Sequence, residues 1–186
     1  MITLKAWADL NWNAITAVAY EGARLDIAPE LLASVERGRE IFNGLIDAGA
    51  PCYGVTTGLG RLSTTDLSAK ARDAMSRNIL LARAAAFGEP LPRPVVRAMM
   101  MVRLANFLSG QDGVSAELCK FIAARLNDDF DPFVPALGHG FAADGTPNAH
   151  CFQTLIGEGR VLDPDGEPIA AAAALAARGA APYLPG

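Results

Sequence analysis

Apolar residues recur every three or four positions between Pro29 and Ala48, and this helical spacing is the feature that most limits the fold. Pro29 suits a first helical turn, and Gly49 with Pro51 closes the segment. Similar spacing or composition predicts five further helices. The six predicted helices cover about residues 29–48, 68–86, 94–108, 115–126, 147–156 and 169–178. The chain is therefore expected to be mainly α, with a few short strands.

The remaining segments predict short or irregular structure. Residues 1–26 show no helical period, and alternation over residues 23–27 indicates a short extended piece. The prolines of the 131–135 segment exclude a helix there, because proline disfavours the α conformation in the residue before it. Asp165-Gly166 is typical of a tight turn between short extended pieces. With 186 residues, the chain is expected to form a single domain.

Composition excludes several classes of protein. Apolar residues make up 51% and charged residues 19%, which argues against disorder. The formal net charge is −4 and no block of Lys or Arg occurs, so nucleic-acid binding is not expected. Arg97 and Arg103 interrupt the most apolar helix, so a membrane span is not expected either.

The expected location is the cytoplasm. The first residues lack the charged segment and apolar stretch of a signal peptide. Cys52, Cys119 and Cys151 are odd in number and have no Cys-x-x-Cys spacing. Buried, reduced thiols are therefore expected.

A glycine-rich loop, Tyr53-Gly54-Val55-Thr56-Thr57-Gly58-Leu59-Gly60, follows the first predicted helix. Its glycines let the backbone bend sharply and approach a ligand closely. The loop lacks both the Gly-Lys-Ser/Thr ending of a phosphate-binding loop and the dinucleotide fingerprint. Spacing alone leaves open a structural turn or an active-site loop, and favours the turn.

The same loop resembles the Tyr-Gly-Val-x-Thr-Gly-x-Gly loop of the aromatic amino acid lyases, the family of histidine and phenylalanine ammonia-lyases. Further matches occur in the family's order over about 130 residues of the chain. They are Asn78-Ile79-Leu80, Arg97, Arg103-Leu104-Ala105-Asn106, Gly110, Gly113-Val114, Pro132, Val134-Pro135, Leu137-Gly138, Asp144, Pro147, Ala149, His150 and Gly157-Glu158-Gly159. The resemblance implies the amino-terminal domain of the ammonia-lyase-like helical fold, which is related to that of fumarase and aspartase.

The resemblance also implies roles for individual residues. Tyr53 corresponds to the loop tyrosine and is the expected catalytic base, while Asn78 and Gly60 are expected to contact substrate. A phenol has a pKa near ~10, so it is a poor base at neutral pH unless nearby cations stabilise its ionised form. Arg83 replaces the histidine of the family's substrate-contacting Ser-His pair, which reads Ala82-Arg83 here. Arg83 is either a surface arginine or a fork that binds a substrate carboxylate.

One departure concerns the family's cofactor. Active members cyclise an internal Ala-Ser-Gly into a methylidene-imidazolone, and the serine supplies the methylene carbon by losing water. With a one-residue deletion, the corresponding residues here are Phe141, Ala142 and Ala143. Ala142 has no hydroxyl group to lose, and residues 116–186 contain no serine. We therefore expect no cofactor, with backbone N–H groups around Gly140–Asp144 as a candidate oxyanion site.

A second departure is length, since the matches reach little more than the first third of the family's chain. We expect a split enzyme, in which a second polypeptide supplies the rest of the fold within a hetero-oligomer. The expected activity is a cofactor-independent β-elimination, or the reverse addition, on a small carboxylate. The alternative is a non-catalytic structural or regulatory partner of an active homologue.

Other polar residues receive structural interpretations. His139, His150 and Cys151 fit no established metal-site spacing, and His150 is expected to form a structural hydrogen bond. Asp144 is expected to cap the helix near Pro147, and Glu158 to be structural. Asp128, Asp129 and Asp131 are expected to form a solvated turn, and Met99–Met101 to lie in the core or at a subunit interface.

Overall fold

A computed structural model of the protein describes residues 1–140 and 145–184, without the side chain of Asp73. Helices dominate these residues. They are α1 Trp12–Tyr20, α2 Pro29–Asp47, α3 Ala69–Arg83, α4 Arg93–Leu108, α5 Ala116–Asn127, α6 Gly145–Phe152 and α7 Ala171–Ala177. The mainly α class expected from the sequence is confirmed.

Short strands between the helices pair with one another to form small sheets. They are β1 Ile2–Leu4, β2 Leu25–Ile27, β3 Phe87–Pro90, β4 Asp131–Pro132, β5 Pro135–Leu137, β6 Arg160–Leu162 and β7 Pro168–Ala170. β1 pairs parallel with β2, β3 pairs antiparallel with β5, and β4, β6 and β7 form a three-stranded antiparallel sheet. The turn at Asp165-Gly166 lies between β6 and β7, as the sequence predicted.

Helix α4 is the centre of the packing and contacts α1, α2, α5, α6 and β4. Met100, Met101, Leu104 and Leu108 are buried on α4, which places the methionine run in the core as expected. Removal of such side chains from water is the main force that holds the elements together. None of the described helices combines the length and hydropathy needed to cross a bilayer.

Helix α1 was missed by the sequence analysis, which expected no helix before residue 26. Asn11 caps it by accepting a hydrogen bond from the Ala14 N–H at 3.2 Å. The side chains on its buried face, Ala14, Val18 and Ala19, are small, whereas Trp12 on the outer face is 77% exposed. Large residues outside and alanines inside conceal the apolar stripe on which the prediction depended.

Helix α3 ends at Arg83, about three residues earlier than predicted, because the chain leaves the helix to form β3. None of the α3 side chains that the structure describes is fully buried, and the main contacts of α3 are with α6 and the 3₁₀ turn Gln153–Ile156. Helix α6 and this 3₁₀ turn therefore position α3 and the loop that precedes it.

The expectation of a solvated turn at Asp128, Asp129 and Asp131 holds for Asp129, whose side chain is 69% exposed, and is wrong for Asp131, whose side chain is 13% exposed. Arg125 pairs with Asp128, and Arg93 donates to Asp129 and Asp131 at 2.5 Å. The Asp131 side chain is largely buried, and this burial raises its pKa above the ordinary value despite the adjacent guanidinium groups. These carboxylates therefore belong to an ion-pair network that runs from the surface at Asp129 to the buried Arg97.

Candidate functional site

The loop of residues 52–67 is held together almost entirely by its own hydrogen bonds. The Cys52 carbonyl accepts from the N–H groups of Val55 and Thr56 at 3.1 and 2.9 Å. The Thr56 hydroxyl oxygen accepts from the Cys52 N–H at 2.7 Å. Gly58 packs so closely that an added Cβ would lie 2.8 Å from the Leu62 carbonyl oxygen. The loop is therefore a fixed structure that presents Tyr53.

Tyr53 is presented with its ring 62% exposed and its hydroxyl group anchored. The phenol oxygen accepts a hydrogen bond from the Gly60 N–H at 3.0 Å, which leaves the phenol proton available to another acceptor. Gly60 has φ +56°, in the left-handed region that favours glycine. Gly60, expected to contact substrate, thus lies beside Tyr53 and uses its N–H to hold the phenol oxygen.

Tyr53 borders an open cavity of about 630 Å³, referred to below as the tyrosine cavity. Helices α3, α4 and α6 supply most of its other residues. The full lining is Tyr53, Leu59, Ile79, Leu80, Arg83, Arg103, Phe107, Gly145, Asn148, Ala149 and Phe152. The structure therefore brings Tyr53 and Arg83 to one cavity. Asn78 lies on the exposed face of α3 and is not part of this lining.

Arg83, in the last turn of α3, reaches across to the start of α6. A Cβ at Gly145 would lie 3.1 Å from the Arg83 Nη1 atom, so glycine leaves the room in which the guanidinium group lies. The Arg83 side chain is exposed at the cavity, and none of the carboxylates that the structure describes lies within ion-pair distance of it. A planar guanidinium fork in such a position is suited to an anion.

His150 joins α6 to the segment that follows α3. Its Nε2 atom accepts from the Ala86 N–H at 2.9 Å, in agreement with the expected structural hydrogen bond. Burial, with the neighbouring charges of His139 and Arg160, lowers the pKa of His150 and favours the neutral ring that this bond requires. Glu158 pairs with Arg77 of α3 and reinforces the same junction.

Arg103 and Asn148 were not among the predicted site residues, although both lie within matched motifs. They line the tyrosine cavity and also a second hollow of about 530 Å³ beside it. This second hollow is mainly apolar, with Leu91, Val95 and Met99 among its residues. The Arg103 guanidinium lies 5.9 Å from the centre of the Phe107 ring. The only signal in the sequence was the position of Arg103 at the head of the Arg-Leu-Ala-Asn motif.

The segment expected to correspond to the cofactor triad, Phe141, Ala142 and Ala143, lies outside the described residues, as does Asp144. The oxyanion site around Gly140–Asp144 and the Asp144 cap therefore stay predictions. Gly145 begins α6 at the edge of the tyrosine cavity.

His139, Cys119 and Cys151 are not part of the lining of the tyrosine cavity. His139 Nε2 lies 2.6 Å from the Pro135 carbonyl oxygen, and the described residues contain no group of three side chains that could hold a metal ion. Cys119 and Cys151 are buried, and burial raises the pKa of both thiols to about 12. These two thiols are therefore protonated and belong to the core.

Comparison with known proteins gives a consistent result. A sequence profile of the aromatic amino acid lyases matches residues 10–186. Histidine ammonia-lyase from Streptomyces coelicolor is 39% identical over 169 residues, which are 90% of this chain and 33% of that protein. The MIO-dependent tyrosine 2,3-aminomutase of Streptomyces globisporus is 33% identical, over 93% of this chain and 32% of its own.

Among solved structures, the ergothioneine-degrading enzyme ergothionase from Treponema denticola superposes with a TM-score of 0.91 at 26% identity. The match covers 100% of this chain and 37% of that one. The chain thus spans about a third of the length of the curated relatives it matches.

Proposed function

The chain belongs to the aromatic amino acid lyase family, and on that premise we propose that it forms one side of the active site of a lyase that works without MIO, the methylidene-imidazolone group. In this proposal Tyr53 removes a proton from a small carboxylate substrate and Arg83 binds the carboxylate. A second polypeptide supplies the remainder of the fold in a hetero-oligomer.

The observation that carries the proposal is the placement of Tyr53. Its phenol oxygen is anchored by Gly60 at the mouth of a cavity that Arg83 also lines. A base must meet the proton that it removes at hydrogen-bond distance, so a fixed and exposed oxygen beside an anion-binding fork is the required arrangement. A purely structural turn does not need the phenol to face an open cavity.

The residues present do not fit the family's cofactor. The methylene carbon of MIO derives from a serine side chain, and residues 116–186 contain none. The aligned residue, Ala142, has only a methyl group, and Ala143 replaces the glycine. The related tyrosine aminomutase is named for its dependence on MIO, so the proposed chemistry departs from that of this relative.

Elimination without an electrophile requires a substrate that is already activated. The Cα–Cβ double bond forms from the electron pair of the broken C–H bond, the proton passes to the phenolate oxygen of Tyr53, and the leaving group departs with its bonding pair. Trimethylammonium, thiol and activated hydroxyl groups leave well enough. Ergothioneine is the first compound to test, because a neighbour in structure degrades it.

The outer surface supports a covering partner. Phe87, Leu137, Ile41 and Leu45 are large apolar side chains that are more than half exposed. Large apolar side chains exposed on a folded protein are a common feature of surfaces that contact another chain. The curated relatives, about three times as long, carry further segments that a second polypeptide would have to provide.

Replacement of Tyr53 by Phe in the assembled complex tests the base. Loss of a general base typically lowers turnover by about 10²–10⁴-fold. The control is Tyr20→Phe, because Tyr20 is similarly exposed at 69% but lies on α1, outside the cavity lining. Turnover of Tyr53→Phe close to that of Tyr20→Phe would exclude the proposed base.

The alternative function is a non-catalytic partner of an active homologue, favoured by the loss of the serine that MIO requires. It predicts that Tyr53→Phe changes neither the assembly nor the activity of the complex. Gel filtration of the complex combined with turnover therefore separates the two functions. Intact assembly with lost turnover supports the lyase, and intact assembly with intact turnover supports the partner.

A further inference from the structure

Two arginines line the tyrosine cavity, and no acidic residue of the described chain lines it with them. Arg83 and Arg103 have no carboxylate within ion-pair distance among the side chains that the structure describes. The described part of this cavity therefore holds two positive charges without a carboxylate partner.

Several other arginines of the chain pair with aspartates. Arg93, Arg97, Arg125 and Arg178 each lie within ion-pair distance of an aspartate. Burial of a charge is unfavourable without a partner, which explains this pairing. The half-buried Arg103 has no such aspartate beside it among the described side chains, so its guanidinium group is available to an anion from outside the described chain.

Both guanidinium groups are held where an anion can reach them. Gly145 leaves room for Arg83 against the start of α6, and the Phe107 ring lies beside Arg103. Apolar residues, including Leu59 and Phe152, line the same cavity. A ligand that matches this lining has an apolar middle and an anionic group for each arginine, since a guanidinium fork binds a carboxylate by two parallel hydrogen bonds.

We propose that the tyrosine cavity binds a dicarboxylate, with one carboxylate on Arg83 and the other on Arg103. This inference rests on the proposed function and narrows its substrate class to acids with two anionic groups, so that ergothioneine, with one carboxylate, becomes a comparison compound. Arg103 then becomes a substrate-binding residue that distinguishes dicarboxylates from the corresponding monocarboxylates.

Calorimetric titration of the full chain tests the proposal. The probes are straight-chain dicarboxylates from succinate to adipate and monocarboxylates of equal length, at constant ionic strength because salt screens charge. One charge-assisted hydrogen bond contributes about 1.5–3 kcal/mol. The best dicarboxylate should therefore bind at least about tenfold more tightly than its monocarboxylate.

Arg83→Gln and Arg103→Gln should each reduce this preference to about twofold or less, because either variant leaves one anionic group without its fork. The matched control is Arg37→Gln, since Arg37 is exposed on α2 and outside the cavity lining, and it should retain the full preference. Absence of dicarboxylate binding, no preference in the unaltered chain, or an unchanged preference in either cavity variant would overturn the proposal.

The proposed function fails in a different way. Tyr53→Phe should leave dicarboxylate binding unchanged while it removes turnover. If the dicarboxylate binds as expected but no elimination depends on Tyr53, the binding site stands and the lyase activity does not. If Arg83→Gln or Arg103→Gln instead disrupts assembly with a second chain and leaves binding intact, both arginines are interface residues and the binding proposal is wrong.

Discussion

Replacement of Arg97 by Met should be among the most damaging changes to the stability of this protein. Arg97 is only 2% exposed, on the central helix α4. Its Nε and Nη2 atoms donate to the carbonyl oxygens of Val18 and Leu126 at 3.1 and 3.0 Å. Its Nη1 atom lies 3.5 and 3.8 Å from carboxylate oxygens of Asp129 and Asp131. One side chain therefore joins α1, α5 and the two aspartates, Asp129 and Asp131, to α4.

The cost of Arg97→Met follows from these partners. Methionine approximates the volume of the aliphatic stem, so the main loss is polar. Two carbonyl groups lose their donor, at about 1–3 kcal/mol each when they remain buried. Asp131 keeps the hydrogen bond from Arg93 at 2.5 Å, which limits the electrostatic part of the loss. Breaking one side of a buried ion pair typically costs about 3–5 kcal/mol, and we expect a value in that range.

Urea denaturation followed by circular dichroism measures this cost. The control is Arg77→Met, because Arg77 also pairs with a carboxylate but its side chain is 62% exposed. An exposed ion pair contributes about 0–1 kcal/mol, so the two variants should differ by at least about 2 kcal/mol. A free energy of unfolding for Arg97→Met no lower than that for Arg77→Met would refute the reasoning.

Two further predictions concern stability and its pH dependence. In α2, Gly38→Ala would place a Cβ 2.0 Å from the Gly110 carbonyl oxygen, whereas Gly44 has no neighbour within 4 Å. Thermal denaturation should therefore show Gly38→Ala destabilised and Gly44→Ala stabilised by about 0.5–1 kcal/mol, and stabilisation by both would contradict the close approach. The lowered pKa of His150 means that its contribution is present above the unfolded value near ~6.5 and is lost as pH falls through the folded value. His150→Gln should reduce the loss of stability between about pH 7.5 and 5.5, and an unchanged pH dependence would show that another group is responsible.

Much of the fold can be predicted from residues that begin or end helices and are recognisable in the sequence. Pro29 and Gly49 enclose α2, and a Ser115 side chain caps α5 by accepting from the Leu118 N–H at 3.1 Å. Such signals act within a few residues, so they can be recognised without knowledge of the fold. Helix α1 has a local cap as well, but its small buried residues gave no apolar stripe to recognise.

The candidate site likewise has a part that the sequence predicts and a part that depends on the fold. The Tyr53 loop was found because its motif is local. Arg103 lines the tyrosine cavity only because α4, α3 and α6 pack together. Arg97 donates to the carbonyl oxygen of Val18, which is 79 positions away in the sequence. A sequence shows that an arginine interrupts an apolar helix, but not whether the guanidinium group faces water or a carbonyl oxygen. That distinction depends on partners that folding brings together.

The internal bonding of the Tyr53 loop has a consequence for how the family's chemistry can diverge. Gly58 donates to the Thr65 carbonyl oxygen at 3.0 Å and Leu67 to that of Thr56 at 2.8 Å, so the loop closes on itself within residues 52–67. The hydrogen bonds that set its shape therefore join residues that are neighbours in the sequence. Under the proposed function, a loop built in this way keeps Tyr53 positioned as a base in a lyase that works without the family's electrophile.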